Sequence, residues 1–225
     1  MLRAGAHSPW LIIRKTVLFN EVLAVVLGYL IGSIPSAYII GRLIGKIDLR
    51  LEGDGRISAA AIHRKLGTVP FLLVVIMDVG AGVLSVLIAK MLTNSPLGVF
   101  TDSQLAVLVA GFAAVVGHNW PIFLKFKGGL GATTTFGVLV ALVWWQFLIV
   151  AAAVFIIHLI MKRKKSGLMT AILIVALCIV LLLQSLFQNK PLILAIYPVV
   201  LILLMLLKHF QVSRTRPSSL PDEGH

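Results

Sequence analysis

The apolar residues of this chain fall into long runs that are separated by short charged segments. A membrane-spanning helix needs about 20 mostly apolar residues. Five runs approach this length, and they cover Val22–Gly41, Pro70–Ala89, Leu105–Phe123, Ser166–Phe187 and Pro191–Leu207. The pattern predicts an all-α, polytopic membrane protein.

One further apolar segment, Gly129–Met161, is too long to be a single span. Its 33 residues would form a helix of about 50 Å, whereas the hydrocarbon core of a bilayer is about 30 Å thick. Trp144, Trp145 and Gln146 in its middle are typical of a membrane interface. We therefore predict two helices here, which makes seven transmembrane helices in total.

Composition excludes a soluble fold. Apolar residues make up 59% of the 225 residues, charged residues only 12%, and the mean hydropathy is +1.03. A water-facing surface needs roughly 25–35% charged residues. The single cysteine, Cys178, lies inside an apolar run, so no disulfide framework and no cysteine metal site is expected. The sequence also contains no HExxH or CxxC metal motif.

The net charge of +12 carries topological information. With seven spans, fifteen of the twenty Lys and Arg residues fall on one side of the membrane. A six-span arrangement divides them eleven to nine, which gives no clear orientation. Because cytoplasmic loops are enriched in Lys and Arg, we predict an external N-terminus and a cytoplasmic C-terminus. The excess charge is then better explained as a topology signal than as a nucleic-acid footprint.

The loop that leads into the 33-residue segment, and includes its first three residues, reads Phe-Lys-Gly-Gly-Leu-Gly at positions 126–131. Three glycines in four residues allow backbone N–H groups to turn toward an anion, and the following helix adds its positive N-terminal end. A flexible membrane turn would use the same small residues. Both interpretations stay open on spacing alone.

Three titratable residues are candidates for chemistry. Asp78 lies within a predicted span, where a carboxylate is either functional or held in a structural pair. His118 and His209 lie at predicted cytoplasmic ends of spans, where a histidine is either an acid or base or an interfacial hydrogen-bonding group. His158 has no polar companions, and we assign it to packing.

Several segments together resemble one family. The stretch GHNWPIFLKFKGGLG, at 117–131, resembles the signature GHxxPxFxxFKGGKG of the bacterial acyl-phosphate:glycerol-3-phosphate acyltransferases, the PlsY family. The segment 29–36 resembles that family's opening helix, and residues 53–67 fit its GSGNxGATNxxRxxG motif in frame. Asp78 matches the acid of DxxKG, Ser166 matches a serine after the fifth span, and Lys208-His209 resembles RHxxN. The resemblance runs from about residue 22 to 214.

The resemblance implies a seven-helix membrane protein whose cytoplasmic loops form the active site. It implies transfer of a fatty acyl group from acyl phosphate to glycerol 3-phosphate in phospholipid biosynthesis. The products would be lysophosphatidic acid and inorganic phosphate, made without a cofactor at a bacterial plasma membrane. Expected domains are an N-terminal extension (1–21), the acyltransferase-like domain (22–214) and a polar tail (215–225). Oligomeric state is not indicated.

The resemblance also assigns roles to individual residues. The catalytic residues would be Arg64, Ser166 and His209. The substrate-binding residues would be Gly53, Gly55, Arg56, His118, Lys127, Gly128, Gly129 and Gly131.

Several polar motif positions differ from the family pattern. The differing residues are Asp54, Arg56, Ser58, Ala60, Ala61, Ala81, Leu130 and Val212. These replacements support a second hypothesis, a catalytically impaired paralogue that binds a phosphorylated lipid or a partner protein. An acyltransferase with another acceptor is intermediate between the two. A transporter or channel is a third class, which the absence of paired half-repeats disfavours.

Overall fold

The computed structural model of the protein describes residues 9–51, 57–94, 102–161, 166–188 and 192–214. These residues are helices and connecting loops. The helices are α1 (Pro9–Gly32), α2 (Ser36–Leu43), α3 (Ala59–Leu66), α4 (Thr68–Leu92), α5 (Asp102–Asn119), α6 (Ala132–Leu142), α7 (Trp144–Met161), α8 (Ser166–Gln188) and α9 (Ile193–Arg214), with a 3₁₀ turn at Ile122–Leu124. Within the expected N-terminal extension (1–21), residues 9–21 are helical and form the first part of α1.

Several described helical stretches are long and apolar enough to cross a membrane. They are Arg14–Leu43, Thr68–Leu92, Gln104–Leu124 and Ile193–Val212, and a fifth is reached if α6 and α7 count as one bent span. Because their outward-facing residues are large and apolar, the surrounding medium is lipid rather than water. The prediction of an all-α membrane protein is confirmed.

Two prolines end helices inside the predicted spans. The first span is broken at residues 33–35, between α1 and α2, and α5 ends at Asn119 instead of continuing to Phe123. Pro35 and Pro121 follow these ends. A proline lacks the N–H that a helix interior needs, and it disfavours helical geometry in the residue before it. The break at Pro35 turns the start of α2, and with it Ser36, toward α4.

The 33-residue segment does contain two helices. α6 ends at Leu142 and α7 begins at Trp144, and the axes of Ala132–Leu142 and Trp144–Val150 differ by 118°. With eleven residues, α6 is about 16 Å long and is too short to cross a bilayer by itself. The Lys90 Nζ of α4 donates to the Ala141 carbonyl at 3.0 Å, which satisfies one of the open carbonyls at the end of α6.

Small residues allow the central helices to approach closely. Gly28 and Gly32 of α1 face Ala110 and Ala114 of α5, and a Cβ added at either glycine would overlap the facing alanine carbonyl. Such small-xxx-small pairs are a common way to pack helices in membranes. The main core joins α1, α4, α5, α6, α7, α8 and α9.

A second buried cluster holds α3 and the loop before it against α2 and α4. Leu49 and Ile57 of the loop and Ile62 of α3 are buried there beside Val74 of α4. This cluster fixes α3, which carries one of the predicted catalytic residues.

Candidate functional site

A cavity of about 340 Å³ lies among helices α3, α4, α5, α6 and α9. Its wall also includes part of the connection between α5 and α6, residues 120–131, which we call loop three. The lining residues are Ile57, Ser58, Ala59, Ala60, Arg64, Phe71, Asp78, His118, Gly128, Gly129, Leu130, Gly131, Ala132, Thr133, His209 and Val212. The cavity therefore gathers residues from five separate parts of the sequence.

Helix α3 brings Arg64 to the cavity. The helix begins after Ser58, whose hydroxyl accepts a hydrogen bond from the Ala61 N–H at 3.2 Å. Serine is a favourable N-cap residue, and such a cap is worth about 1 kcal/mol. Ser58 is one of the departures from the family motif, and here it stabilises the helix that positions the arginine.

Loop three reverses direction through residues in left-handed backbone conformation, Lys125 (φ 52°) and Phe126 (φ 63°). The loop then runs back along the end of α5. The Gly128 N–H donates to the Asn119 carbonyl and the Gly129 N–H donates to the His118 carbonyl, both at 3.2 Å. These two amides already have backbone partners, so their predicted donor role toward phosphate stays a prediction, although both glycines line the cavity. What the two glycines provide is close approach, because a Cβ at Gly129 would lie 2.5 Å from His118 Nε2.

Gly131 starts helix α6 at the cavity wall. It has φ +76°, and a Cβ there would overlap the Asn119 side-chain oxygen. The first hydrogen bond across this turn joins the Thr135 N–H to the Gly131 carbonyl at 2.8 Å. The first N–H groups of an α-helix have no partners within the helix and carry the positive end of its dipole. Ala132 and Thr133, in the first turn of α6, line the cavity, so a helix N-terminus of the kind that binds anions lies at its wall.

Asp78 lies at the base of the cavity and is only 3% exposed. Its Oδ1 accepts a hydrogen bond from the Ser36 hydroxyl, and its Oδ2 accepts one from the Thr133 hydroxyl at 2.7 Å. The His118 Nδ1 is 3.7 Å from Oδ1. One carboxylate thus joins α2, α4, α5 and α6.

Helix α9 is held against loop three by polar contacts that place His209 on the cavity wall. The Trp120 Nε1–H donates to Gln211 Oε1 at 3.0 Å, and the Lys208 Nζ lies 4.8 Å from the centre of the Trp120 ring. Lys208 is buried against this tryptophan, and it does not line the cavity. A cation over an indole ring is stabilised by the ring quadrupole.

Two exposed arginines of the segment around α2 are paired with one half-buried carboxylate. Arg42 and Arg50 share Asp48, at 2.6 and 2.7 Å, and both guanidinium groups donate to the Tyr38 hydroxyl. The hydrogen bond from Arg50 is the largest cause that lowers the pKa of Asp48, to about 2. These arginines lie outside the cavity wall. Along the part of that wall that the structure describes, Arg64 is the one Lys or Arg residue.

The structure brings together Arg64, His118, Gly128, Gly129, Gly131 and His209 of the predicted site. Lys127 is exposed on loop three and does not line the cavity. Gly53, Gly55 and Arg56 lie outside the described residues. Ser166 is the first residue of α8, and its side chain lies outside them as well.

The sequence did not point to Ser36 and Thr133, the two residues whose hydroxyl groups bond to Asp78. Each is in the first turn of a helix that starts after a helix-breaking residue, Pro35 or Gly131. That position was a usable signal, because the start of a helix next to an intramembrane carboxylate is where a hydroxyl donor is expected. Over the described ranges, no group of three or more His, Cys, Asp or Glu residues could hold a metal ion.

The helices and the cavity define an integral membrane protein with a glycine-walled cavity that carries one arginine, two histidines and a helix N-terminus. Residues 22–215 match the family described as glycerol-3-phosphate acyltransferase. The chain belongs to this family.

Curated relatives agree with this assignment. Glycerol-3-phosphate acyltransferase 2 of Moorella thermoacetica is 43% identical over 121 residues, which are 54% of this chain and 58% of that protein. The glycerol-3-phosphate acyltransferase of Shouchella clausii is 43% identical over 122 residues, 54% of this chain and 57% of that protein. The chain thus matches less than two thirds of the length of these relatives.

Two solved structures share the fold over most of the chain. Both are of PlsY (YgiH), an integral membrane glycerol 3-phosphate acyltransferase. The glycerol 3-phosphate form has a TM-score of 0.66 and 26% identity and covers 88% of this chain and 90% of that one. The lysophosphatidic acid form has a TM-score of 0.64 and 25% identity and covers 86% and 90%.

Proposed function

We propose that this protein is a membrane acyltransferase that moves a fatty acyl group from acyl phosphate to glycerol 3-phosphate. The products are lysophosphatidic acid and inorganic phosphate. The observation that carries the proposal is the cavity that unites Arg64, the start of α6 and His209, residues far apart in sequence. Family membership and the PlsY structures with glycerol 3-phosphate and lysophosphatidic acid support the same activity. We place it in the domain of residues 22–214.

Phosphate recognition uses a fixed positive surface. Arg64 supplies a planar guanidinium that can bind two phosphate oxygens, and the start of α6 adds backbone N–H groups and the helix dipole. Lys127, exposed on loop three, attracts anions toward the opening. By the motif that they occupy, we assign Gly53, Gly55 and Arg56 to the same phosphate-binding surface.

In the proposed reaction a hydroxyl of glycerol 3-phosphate attacks the acyl carbon of acyl phosphate. A carbon–oxygen ester bond forms, the bond between the acyl carbon and the phosphate oxygen breaks, and phosphate leaves. His209 accepts the hydroxyl proton and passes it to the departing phosphate, and Ser166 orients the substrates. Positioning two bound reactants and stabilising the developing negative charge supply most of the acceleration.

We place this chemistry at the cytoplasmic face of a seven-helix protein of the bacterial plasma membrane. The charge distribution of the sequence supports that orientation, with the C-terminus inside. Both substrates carry phosphate, which is consistent with a cationic face. The acyl chain of the donor enters from the bilayer.

An apolar groove of about 440 Å³ provides a place for that acyl chain. It lies between the α1–α2 break and α4, and its lining includes Ile31, Ser36, Met77, Gly80 and Ala81. A small cavity shares Ser36 with the lining of this groove and Asp78 and His118 with the lining of the site cavity. The hydrocarbon and the phosphate would therefore occupy adjoining compartments that meet near Ser36.

Narrowing the groove is expected to change chain-length preference. Ala81→Leu adds three carbons to its wall, so kcat/KM for a sixteen-carbon acyl phosphate should fall about tenfold relative to an eight-carbon one. The matched control is Ala153→Leu, because Ala153 is exposed on α7 away from the groove. Equal loss for both donors in Ala81→Leu would place the acyl chain elsewhere.

The central test is an assay of the purified native protein with acyl phosphate and glycerol 3-phosphate. We expect lysophosphatidic acid and an equimolar amount of phosphate. The double variant Asp54→Ser, Leu130→Lys returns two residues to the family pattern, and it should raise kcat/KM for glycerol 3-phosphate about tenfold because a charge-assisted contact is gained.

The native protein and the double variant also test the alternative hypothesis, a catalytically impaired paralogue. That alternative is motivated by Leu130 and Val212, which are apolar and line the cavity. It predicts turnover only in the restored variant, with phosphate or lipid binding but no product in the native protein.

A further inference from the structure

Asp78 is the buried group that the proposed reaction leaves unexplained. It is 3% exposed, and it lies at the base of the cavity without being placed to attack or to bind phosphate. Burying a carboxylate is costly unless hydrogen-bond donors compensate it. Its position therefore needs a reason beyond helix packing.

Asp78 accepts a hydrogen bond from Ser36 of α2, and its two other contacts lie on either side of loop three. At the start of the loop, His118 Nδ1 is 3.7 Å from Asp78 Oδ1. After its end, the Thr133 hydroxyl in the first turn of α6 donates to Oδ2 at 2.7 Å. Loop three lies between these two residues, and its glycines form the cavity wall.

His118 also connects Asp78 to the glycines of loop three. The ring lies between Asp78 and Gly129, because a Cβ added at Gly129 would be 2.5 Å from His118 Nε2. The His118 carbonyl also accepts the Gly129 N–H at 3.2 Å. A shift of the imidazole would therefore move the glycine segment and, through Gly131, the start of α6.

We propose that Asp78 is a positioning residue that fixes the shape of the phosphate-binding wall by holding both ends of loop three. This inference rests on the proposed function for the identity of the ligand, glycerol 3-phosphate. Both carboxylate oxygens of Asp78 already accept hydrogen bonds, from Ser36 and Thr133, so Asp78 acts through its neighbours and not as a ligand of the phosphate. Its loss widens and loosens the anion site while the reacting groups remain in place.

Two variants test the positioning role. Asp78→Asn keeps the side-chain volume and weakens both connections, and Thr133→Val removes one of them with little change in shape. We expect Asp78→Asn to raise KM for glycerol 3-phosphate about tenfold, within the range by which residues without ligand contact modulate a binding site, with less than a threefold change in kcat. Thr133→Val should raise KM about fivefold. The control is Ser85→Ala, which removes a buried hydroxyl of α4 that donates to Ala81 within its own helix.

Combining the variants separates positioning from simple destabilisation. If Asp78 acts through Thr133 and His118, then Thr133→Val should add less than a twofold effect in the Asp78→Asn background. KM values within twofold of the native protein in both folded single variants, or fully multiplicative effects in the double variant, would overturn the proposal. If Asp78→Asn fails to fold, the KM of Thr133→Val decides the question.

Amide hydrogen exchange provides a readout that does not depend on turnover. Exchange at residues 125–135 should increase at least fivefold in Asp78→Asn, or in Thr133→Val if the first variant does not fold, while exchange in α3 (Ala59–Leu66) stays unchanged. Unchanged exchange in loop three would overturn the positioning role. If exchange in loop three increases in the variant but the native protein has no acyltransferase activity, the proposed function is refuted and the positioning role stands.

Discussion

Arg64→Ala is expected to lower kcat/KM for glycerol 3-phosphate at least about 100-fold. Arg64 is the one Lys or Arg on the described part of the cavity wall, and its guanidinium would make paired charge-assisted bonds to a phosphate. Removing a single donor aimed at developing charge costs about 10²–10³ in rate in comparable sites. Arg64→Lys should recover only part of the loss, because an ammonium group cannot bind two oxygens in the same plane. The measurement is lysophosphatidic acid formation by purified protein.

The matched control for this prediction is Lys65→Ala. Lys65 is the next residue of α3 and is exposed, and its removal changes the net charge by the same amount without altering the cavity wall. We expect less than a threefold change in this variant. Similar losses in both variants would mean that general attraction of anions, and not a bound contact with Arg64, explains the effect.

Gly131→Ala is expected to lower activity at least about tenfold and to reduce stability. Two causes act together. The residue has φ +76°, where a side chain costs about 1–2 kcal/mol, and its Cβ would overlap the buried Asn119 amide. Because Gly131 starts α6, the relief of this overlap moves the donors that face the cavity. Steady-state kinetics and the thermal unfolding midpoint in detergent measure the two effects.

Gly67→Ala is the control that separates backbone strain from overlap. Gly67 also has a positive φ, +86°, but a Cβ there would have no atom within 4 Å, and the residue does not line the cavity. Its ψ of −167° puts it in a region that almost only glycine adopts, so Gly67→Ala should lose at least as much stability as Gly131→Ala and keep near-native activity. Equal losses of activity in the two variants would show that strain alone, and not the displacement of α6, is responsible.

The long apolar runs were sufficient to predict helices in a membrane, because hydrophobic length is imposed by the bilayer itself. Gly129–Met161 does break into two helices, as its length predicted, but α6 has only eleven residues, and the described helices amount to four or five candidate spans, so the predicted seven spans are not confirmed. The ends of the first and third spans were predicted less well. Pro35 and Pro121 end helices inside otherwise apolar runs, and an apolar run by itself does not show where a helix stops.

The candidate site could be predicted in part from motif spacing. Arg64, His118, Gly131 and His209 do line one cavity. The partners of the Gly128 and Gly129 N–H groups could not be predicted, because the glycine pattern is the same whether an N–H group faces a ligand or bonds to a neighbouring carbonyl. In this protein the carbonyls of Asn119 and His118 take those two bonds.

The sequence by itself determined the membrane environment, the helical class and the family. These depend on hydrophobic length, charge and local motifs, which are properties of short stretches of chain. Only the tertiary structure decided that Asp78 lies near His118 and Thr133, on either side of loop three, and that the amides of Gly128 and Gly129 bond to the end of α5. The first of these facts depends on distances between residues that are 40 to 55 positions apart in the chain, and such distances are set by how the helices pack against one another.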